Sequence, residues 1–136
     1  MGVSITNETV DAEFFRSRGF DVRNALITHA DLSMTDHGCL TLELVLEGDG
    51  WGVTYGGRVL GHGYLNAEEF EGNAKGIEYL MRIMDTVGVE RFNDMKGKYV
   101  RVVTKGWGNT VDIIGNIARN KWFDQRKFFE GEQEGQ

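Results

Sequence analysis

The stretch CLTLELVLE, from Cys39 to Glu47, decides the fold because every second residue in it is a leucine. In an extended chain these four leucines fall on one side, and the residues between them fall on the other. This period-two pattern is typical of a strand with one buried face. The Gly48-Asp49-Gly50 that follows is the signal of a tight hairpin turn. The stretch therefore predicts an antiparallel sheet.

Neighbouring segments supply partners for this strand. Val22 to Met34 predicts a first strand, joined to it through the turn signal Thr35-Asp36-His37-Gly38. Trp51 to Leu60 predicts a third strand, and the paired glycines 56 and 57 within it indicate a bulge or a close approach by another backbone or a ligand. Two further strands are predicted downstream, at Lys98 to Lys105 and at Val111 to Ile117.

One principal helix is predicted between the two groups of strands. Asn73 is a suitable N-cap, and Gly88 suits the position after the last turn. Apolar residues follow the helical spacing i, i+3, i+4, i+7 at Ile77, Leu80, Met81, Met84 and Val87. The predicted fold class is α+β, a mainly antiparallel sheet of about five strands in the order β-β-β-α-β-β, with the helix packed on it.

The length of the chain, 136 residues, is enough for one domain with a core of its own. No linker or repeat divides it, so residues 1–136 are predicted to form a single domain. Residues 1–20 are predicted to be an N-terminal arm or, from Thr9 to Arg18, a short helix that ends at Gly19. The final residues, 130–136, are predicted to be a frayed tail.

The chain is acidic, with a formal net charge of −6, and its acids are scattered along the sequence. This charge argues against a general nucleic-acid binder and leaves room for a basic partner surface. A single cysteine excludes an intramolecular disulfide, which is typical of a reducing cytosol. Because the first residues lack the regions of a signal peptide and no apolar run approaches a membrane span, we expect a cytoplasmic protein without membrane contact.

The segment 48–63, GDGWGVTYGGRVLGHG, invites a nucleotide-binding interpretation but lacks the spacing of the phosphate-binding motifs. It departs from G-x-G-x-x-G and from G-x-x-x-x-G-K-[ST], and it runs into a strand rather than a helix. It is predicted to be a bulged hairpin, whose glycines would also let a ligand or partner approach the backbone. The predicted ligand- or partner-binding residues are Trp51, Tyr55, Gly56, Gly57, Arg58, His62 and Tyr64.

The segment 119–129, RNKWFDQRKFF, interleaves cations with aromatic rings. This pattern suits stacking on nucleic-acid bases or packing on a partner, and it equally suits a C-terminal element that docks its rings on the core. The residues predicted to contact a partner, or a second copy in a homo-oligomer, are Lys121, Trp122, Phe123, Arg126 and Phe128.

No catalytic motif is evident, so we expect a binding protein rather than an enzyme. Cys39 beside a histidine would permit thiol chemistry, but its position at the start of a leucine-rich strand favours a partly buried, inert thiol. His37 and Cys39 lack the second pair of ligands that a structural zinc site needs. No metal, cofactor or catalytic residue is predicted.

Several short motifs in the chain resemble a family of short proteins encoded by phages and prophages. The resemblance covers about residues 25–123, and it brings no established catalytic residues with it. The motifs are Asp36-His37-Gly38, Leu40 to Leu46, Tyr55-Gly56-Gly57 with Leu60, Gly76 to Leu80, Asp85 to Val89, Lys96 to Val102 and Lys121 to Phe123.

The resemblance implies a non-enzymatic phage accessory protein that inhibits bacterial immunity in the host cytoplasm. It would occlude a host protein complex, with acids engaging a basic, nucleic-acid-binding surface, or it would sequester a small nucleotide signal in the glycine-rich hairpin. Two alternatives remain open. One is a nucleic-acid-binding accessory protein that uses the C-terminal segment, and the other is a small metal- or thiol-dependent enzyme that uses His37, Cys39 and His62.

Overall fold

The structure, a computed structural model, describes residues 4–5, 11–63, 69–106 and 111–134. These residues form strands, three α-helices and a short 3-10 helix at Phe92–Asp94. The strands are β1 (Ser4–Ile5), β2 (Asp21–Asp36), β3 (Cys39–Gly48), β4 (Trp51–Gly63), β5 (Phe70–Gly72), β6 (Tyr99–Thr104), β7 (Ile113–Asn116) and β8 (Trp122–Asp124). The helices are α1 (Ala12–Ser17), α2 (Ala74–Val87) and α3 (Gln125–Glu134).

All the strands of the described chain belong to one sheet, in the order β1-β8-β7-β6-β2-β3-β4-β5, and every neighbouring pair is antiparallel. The predicted α+β class with an antiparallel sheet is confirmed. The predicted number of about five strands is too low, because β1, β5 and β8 have only two or three residues each. Strands this short are too brief to display a period-two pattern.

The inner face of the sheet carries α2 and α3 and holds the main core. The predicted alternation in β3 is confirmed, since Leu42, Leu44 and Leu46 are fully buried there. Other residues of this core come from β2, β6, β7 and β8, and the ring of Phe128 on α3 packs among them. None of the described helices is long and apolar enough to cross a membrane.

The outer face is covered by α1, and only over part of the sheet. Asp11 accepts a hydrogen bond from the backbone N–H of Phe14 (3.0 Å) and so caps this helix. Phe15 then packs against the ring of Trp122, with centroids 4.8 Å apart. The cluster under α1 also contains Val22, Val103 and Ile113, so it draws on β2, β6, β7 and β8.

The bounds of α2 agree with the prediction, but the side that it buries does not. Asn73 accepts from the N–H of Gly76 (3.1 Å), and Gly88 ends the helix in a left-handed conformation (φ 93°). The residues that α2 buries are Gly76, Tyr79, Ile83, Thr86 and Val87, whereas Ile77 and Met81 of the predicted apolar stripe are exposed.

Two contacts explain this rotation of α2. A Cβ added at Gly76 would lie 2.6 Å from the Cα of Leu60, so the helix backbone sits directly on β4 at a point that only glycine permits. On one flank, Lys75 lies over the ring of Phe128 (4.1 Å), and the ring of Phe129 packs against Tyr79 (5.1 Å). Because α3 occupies this flank, the stripe of Ile77 and Met81 is left on the opposite one.

The interruption in β4 is a bulge, as predicted. The pairing of β3 with β4 shifts register between Thr41 and Glu43, opposite Gly56 and Gly57. Both glycines have positive φ values, 119° and 85°. A Cβ at Gly56 would collide with the carbonyl oxygen of Leu42, so this glycine is required by the path of the backbone.

Candidate functional site

The charges of the chain are segregated between the two halves of the sheet. Residues 24–74, which supply most of β2 and all of β3 to β5, contain one arginine, Arg58, and no lysine. The same stretch contains eight acidic residues: Asp31, Asp36, Glu43, Glu47, Asp49, Glu68, Glu69 and Glu71. This stretch therefore carries a formal charge of −7, which is more negative than the net charge of −6 of the whole chain.

Acidic side chains stand on the outer face of this acidic half. Asp31 on β2 lies directly opposite Glu43 on β3, and both residues are exposed. Glu47, also exposed, accepts a hydrogen bond from the hydroxyl of Thr28 (3.1 Å). Like charges directly opposite each other on a sheet are destabilising, so this arrangement is unfavourable for the isolated chain.

Several large apolar side chains are exposed on β2 and β5 of the acidic half and on α2. These side chains, here called the apolar face, are Leu32 (38% exposed), Met34 (46%), Phe70 (78%), Ile77 (45%) and Met81 (57%). Met34 and Phe70 lie together over Gly63, since a Cβ at that glycine would be 2.7 Å from Met34 Cε and 2.9 Å from Phe70 Cε1. Clustered exposed apolar side chains are typical of an interaction site.

The sequence prediction misses the apolar face for identifiable reasons. Helical periodicity assigns Ile77 and Met81 to the core, and Phe70 lies within a stretch without periodicity. A usable signal is nevertheless present in the sequence: Arg58 is the only lysine or arginine between residues 24 and 74. This scarcity of basic residues distinguishes the stretch from the rest of the chain.

A buried polar network joins the acidic half to the rest of the molecule. The hydroxyl of Tyr79 donates to Gln125 Oε1 (2.8 Å), and Gln125 Nε2 donates to Asp112 Oδ1 (3.2 Å). Tyr55 on β4 donates to the carbonyl oxygen of Asp112 (3.4 Å). Burial raises the pKa of both tyrosines well above the ordinary value, and for Tyr55 the neighbouring Tyr79 adds to the effect. The network connects α2, α3 and β4, and none of the buried side-chain N and O atoms described in the structure lacks a hydrogen-bond partner.

A cleft of about 440 Å³ lies beside this network, and Asp112 belongs to both. Burial raises the pKa of Asp124 in its wall, and the same carboxylate accepts from the N–H of Lys127 (3.0 Å) and so caps α3. Lys105 and Arg126 also line the cleft, together with Phe20, Thr104 and Asp112. The cleft is thus lined by both acidic and basic side chains, and Asp124 serves to cap α3.

The residues predicted for a ligand site on the glycine-rich hairpin do not converge on one surface. Tyr55 is buried, and Trp51 is half-buried with its ring over Gly48. The guanidinium of Arg58 lies 5.2 Å from the ring centroid of Phe129, and Gly56 and Gly57 form the bulge. Tyr64 lies outside the described residues.

His62, the remaining member of that set, lies in a row with two other reactive side chains. It is the cross-strand partner of Cys39 on β3 and of Glu71 on β5. Directly opposed residues share a face with Cβ atoms about 4.5–5.5 Å apart. A cavity of about 320 Å³ is lined by His62, Glu71 and Asn73. Within the ranges that the structure describes, no three acidic, histidine or cysteine side chains are placed to hold a metal ion.

The predicted contact residues of the C-terminal segment are mostly inside the fold. Trp122, Phe123 and Phe128 are each no more than 1% exposed. Lys121 forms an ion pair with Asp85 (3.1 Å), and Arg126 forms one with Glu130 (3.1 Å). The interleaved cations and aromatics of the sequence are thus divided between the surface and the two cores.

No protein-family profile, no curated protein and no solved structure matches the chain.

Proposed function

We propose that this chain is a non-enzymatic binding protein that docks on a basic surface of a partner protein. The observation that carries the proposal is the segregation of charge, with one arginine and no lysine against eight acids in residues 24–74. Opposed acids such as Asp31 and Glu43 lower the stability of the free chain. A cationic partner surface would remove this repulsion, so the unfavourable pairing is accounted for by binding.

The resemblance to phage-encoded proteins supplies a biological setting for this proposal. In that setting the chain is an accessory factor that occludes a host protein complex and inhibits bacterial immunity. A surface that normally binds nucleic acid is the best match, because it presents the lysines and arginines that contact phosphates. Self-association through the acidic half would place like charges together, so the partner is a different protein.

Capture from the natural host tests the proposal. The tagged wild-type chain is expected to retain a basic, nucleic-acid-binding protein, identified by mass spectrometry, and added nucleic acid should displace it. The double variant Asp31→Lys/Glu43→Lys should lose this partner. A matched control, Glu90→Lys/Asp94→Lys, makes the same charge change at exposed positions outside the acidic half and should keep it. Equal retention by both variants, or no captured partner, would refute the proposal.

Thiol chemistry is a second candidate function, favoured by the row of Cys39, His62 and Glu71. A histidine beside a cysteine can act as its base, and a carboxylate beside the histidine can orient the ring. If this row acts together, His62→Ala should slow the alkylation of Cys39 by iodoacetamide near neutral pH. His29→Ala, on the neighbouring strand β2, is the control. Equal alkylation rates in all three proteins would exclude this function.

Sequestration of a nucleotide and binding of nucleic acid remain open predictions. Calorimetry with a panel of cyclic nucleotides tests the first, and flat titrations throughout would exclude it. For the second, Lys121, Arg126 and Lys127 can be replaced by glutamate together. Binding that survives this triple change, or that does not weaken with salt, would exclude the C-terminal segment as a nucleic-acid site.

A further inference from the structure

We infer that the open edge of β5, with the apolar face beside it, is the docking site for an extended basic segment of the partner protein. The inference rests on the proposed function and names where the partner docks and which side chains it presents. Three observations carry it: the direction of the backbone groups of β5, the exposure of Phe70 and its neighbours, and the charge around them.

The backbone of β5 offers hydrogen-bonding groups to an added strand. Within the described residues β5 ends the strand order, so one side of it faces no other strand. The N–H of Asn73 donates to the carbonyl oxygen of Leu60 (3.0 Å), which continues the ladder with β4 by one residue. Because these groups alternate in direction along a strand, the N–H groups of Phe70 and Gly72 point to the open side. Strand addition uses such groups for affinity.

The side chains beside this edge suit an apolar residue of the partner. Phe70 is 78% exposed on the inner side, next to Met34 over Gly63. Side chains of an added strand alternate between the two faces of the sheet, so every second one would lie beside Phe70. Ile77 and Met81 are also exposed, on the flank of α2 that α3 leaves uncovered, and methionine adapts readily to different partner shapes.

The charges around β5 specify the other side chains of the partner. Glu69 and Glu71 flank Phe70 and are exposed, and no lysine or arginine occurs between residues 59 and 74. Lysines or arginines at alternate positions of an added strand would meet these carboxylates. A second copy of this chain, paired β5 to β5, would instead bring four glutamates together. The charge therefore favours a segment in which apolar and basic residues alternate.

Fluorescence anisotropy with a labelled peptide of strictly alternating valine and lysine tests the inference. A peptide of the same composition, with its valines and lysines in pairs, and an alternating valine–glutamate peptide are the comparison probes. The wild-type chain should prefer the first peptide over the second by about tenfold, the effect of one good contact, and should not bind the third.

Two variants test the site itself. Phe70→Ala removes the apolar contact, and Gly72→Pro removes an outward N–H at a position where an added Cβ meets nothing within 4 Å. Each should weaken binding of the alternating peptide about tenfold with an unchanged unfolding transition. Tyr99→Ala removes an exposed ring from β6 and should have no effect. Equal affinity for the alternating and paired peptides, or unchanged affinity in both variants, overturns the inference.

The capture experiment separates this inference from the proposed function. If Asp31→Lys/Glu43→Lys loses the host partner while Phe70→Ala and Gly72→Pro keep it, the acidic half binds the partner and the β5 site is wrong. If the wild-type chain captures no basic protein at all, the proposed function fails, and the peptide measurements then report on the β5 edge alone.

Discussion

The two halves of the sheet are covered to different degrees. The half made of β6, β7 and β8 has α1 on its outer face and α2 with α3 on its inner face. The half made of β3, β4 and β5 continues past the reach of α1, and it leaves Phe70 and its neighbours exposed on the inner face. The helices bury apolar side chains of the first half, and this burial favours folding. The exposed acids and exposed apolar side chains of the second half make no such contribution to folding. We therefore assign recognition to the exposed side chains of the acidic half, whose buried leucines on β3 belong to the same core as the covered half.

The largest expected difference between the halves is in the cost of removing an aromatic ring. Trp122→Ala should lower the free energy of unfolding by about 3–5 kcal/mol, because the ring is fully buried under Phe15. Phe70→Ala should change it by less than about 0.5 kcal/mol. Urea unfolding of both variants measures the contrast, and similar losses would show that the acidic half also depends on its exposed ring.

The network that joins the halves should show a smaller effect. Tyr79→Phe removes the hydrogen bond that the tyrosine hydroxyl donates to Gln125 Oε1. The free energy of unfolding should fall by about 1–3 kcal/mol. Tyr99→Phe, at an exposed ring, is the control and should cost almost nothing. Urea unfolding of the two variants measures the difference, and equal midpoints would show that the network adds no stability.

The same tyrosines predict a loss of stability at alkaline pH. Burial raises the pKa of Tyr55 and Tyr79 in the folded chain, so the unfolded chain loses these protons first. Their contribution is therefore complete below the ordinary tyrosine pKa of about 10 and is lost as the pH rises above it. Unfolding measured from neutral pH upward should show this decline, and a shallower decline in Tyr79→Phe. Identical slopes would contradict the assignment.

Asp124 predicts a pH dependence at the acidic end, in the covered half. Burial raises the pKa of this carboxyl, so the folded chain holds its proton more tightly than the unfolded chain does. Its contribution to stability is present at low pH and is lost as the pH rises through the folded pKa. Asp124→Asn keeps an acceptor for the N–H of Lys127 and should gain stability relative to the wild type between acidic and neutral pH. A constant difference across that range would disprove this role of Asp124.

The smallest expected effect is in the acidic half, at the opposed acids. Asp31→Asn removes the repulsion with Glu43 and should raise the urea midpoint slightly at low salt. Salt screens exposed charges, so the gain should disappear at high ionic strength. Asp21→Asn is the matched control, because Asp21 has a favourable partner in Arg23 (2.6 Å) and its replacement should not stabilise. A gain that persists in high salt would indicate another cause.

Most long elements of the fold were predictable from the sequence, but the ten-residue helix α3 and the shortest strands were not. The alternating leucines of β3 and the two caps of α2, Asn73 and Gly88, are local signals that the structure retains. The strand β1 forms only because a distant strand, β8, supplies its hydrogen bonds. No local pattern encodes such a partner.

The side of α2 that faces the sheet was not predictable for a related reason. Apolar residues occur on two stripes of this helix, and the choice between them is made by α3 and by the close contact at Gly76. The candidate binding site was missed for the same reason, because Ile77 and Met81 have the helical spacing of core residues in the sequence. The charge segregation, in contrast, can be counted directly from the sequence.

The pairing of strands has a consequence for the order of folding. β2, β3, β4 and β5 are joined by consecutive antiparallel contacts, so each pair closes over a short loop. β6 must reach back to β2, and β1 finds its partner only in β8, almost the whole described chain away. Contacts distant in sequence form slowly because of the entropy of loop closure. During synthesis, the acidic half can therefore complete its strand pairs before β6 emerges. The strand β1 is synthesised first, but it can pair only after β8 has been made.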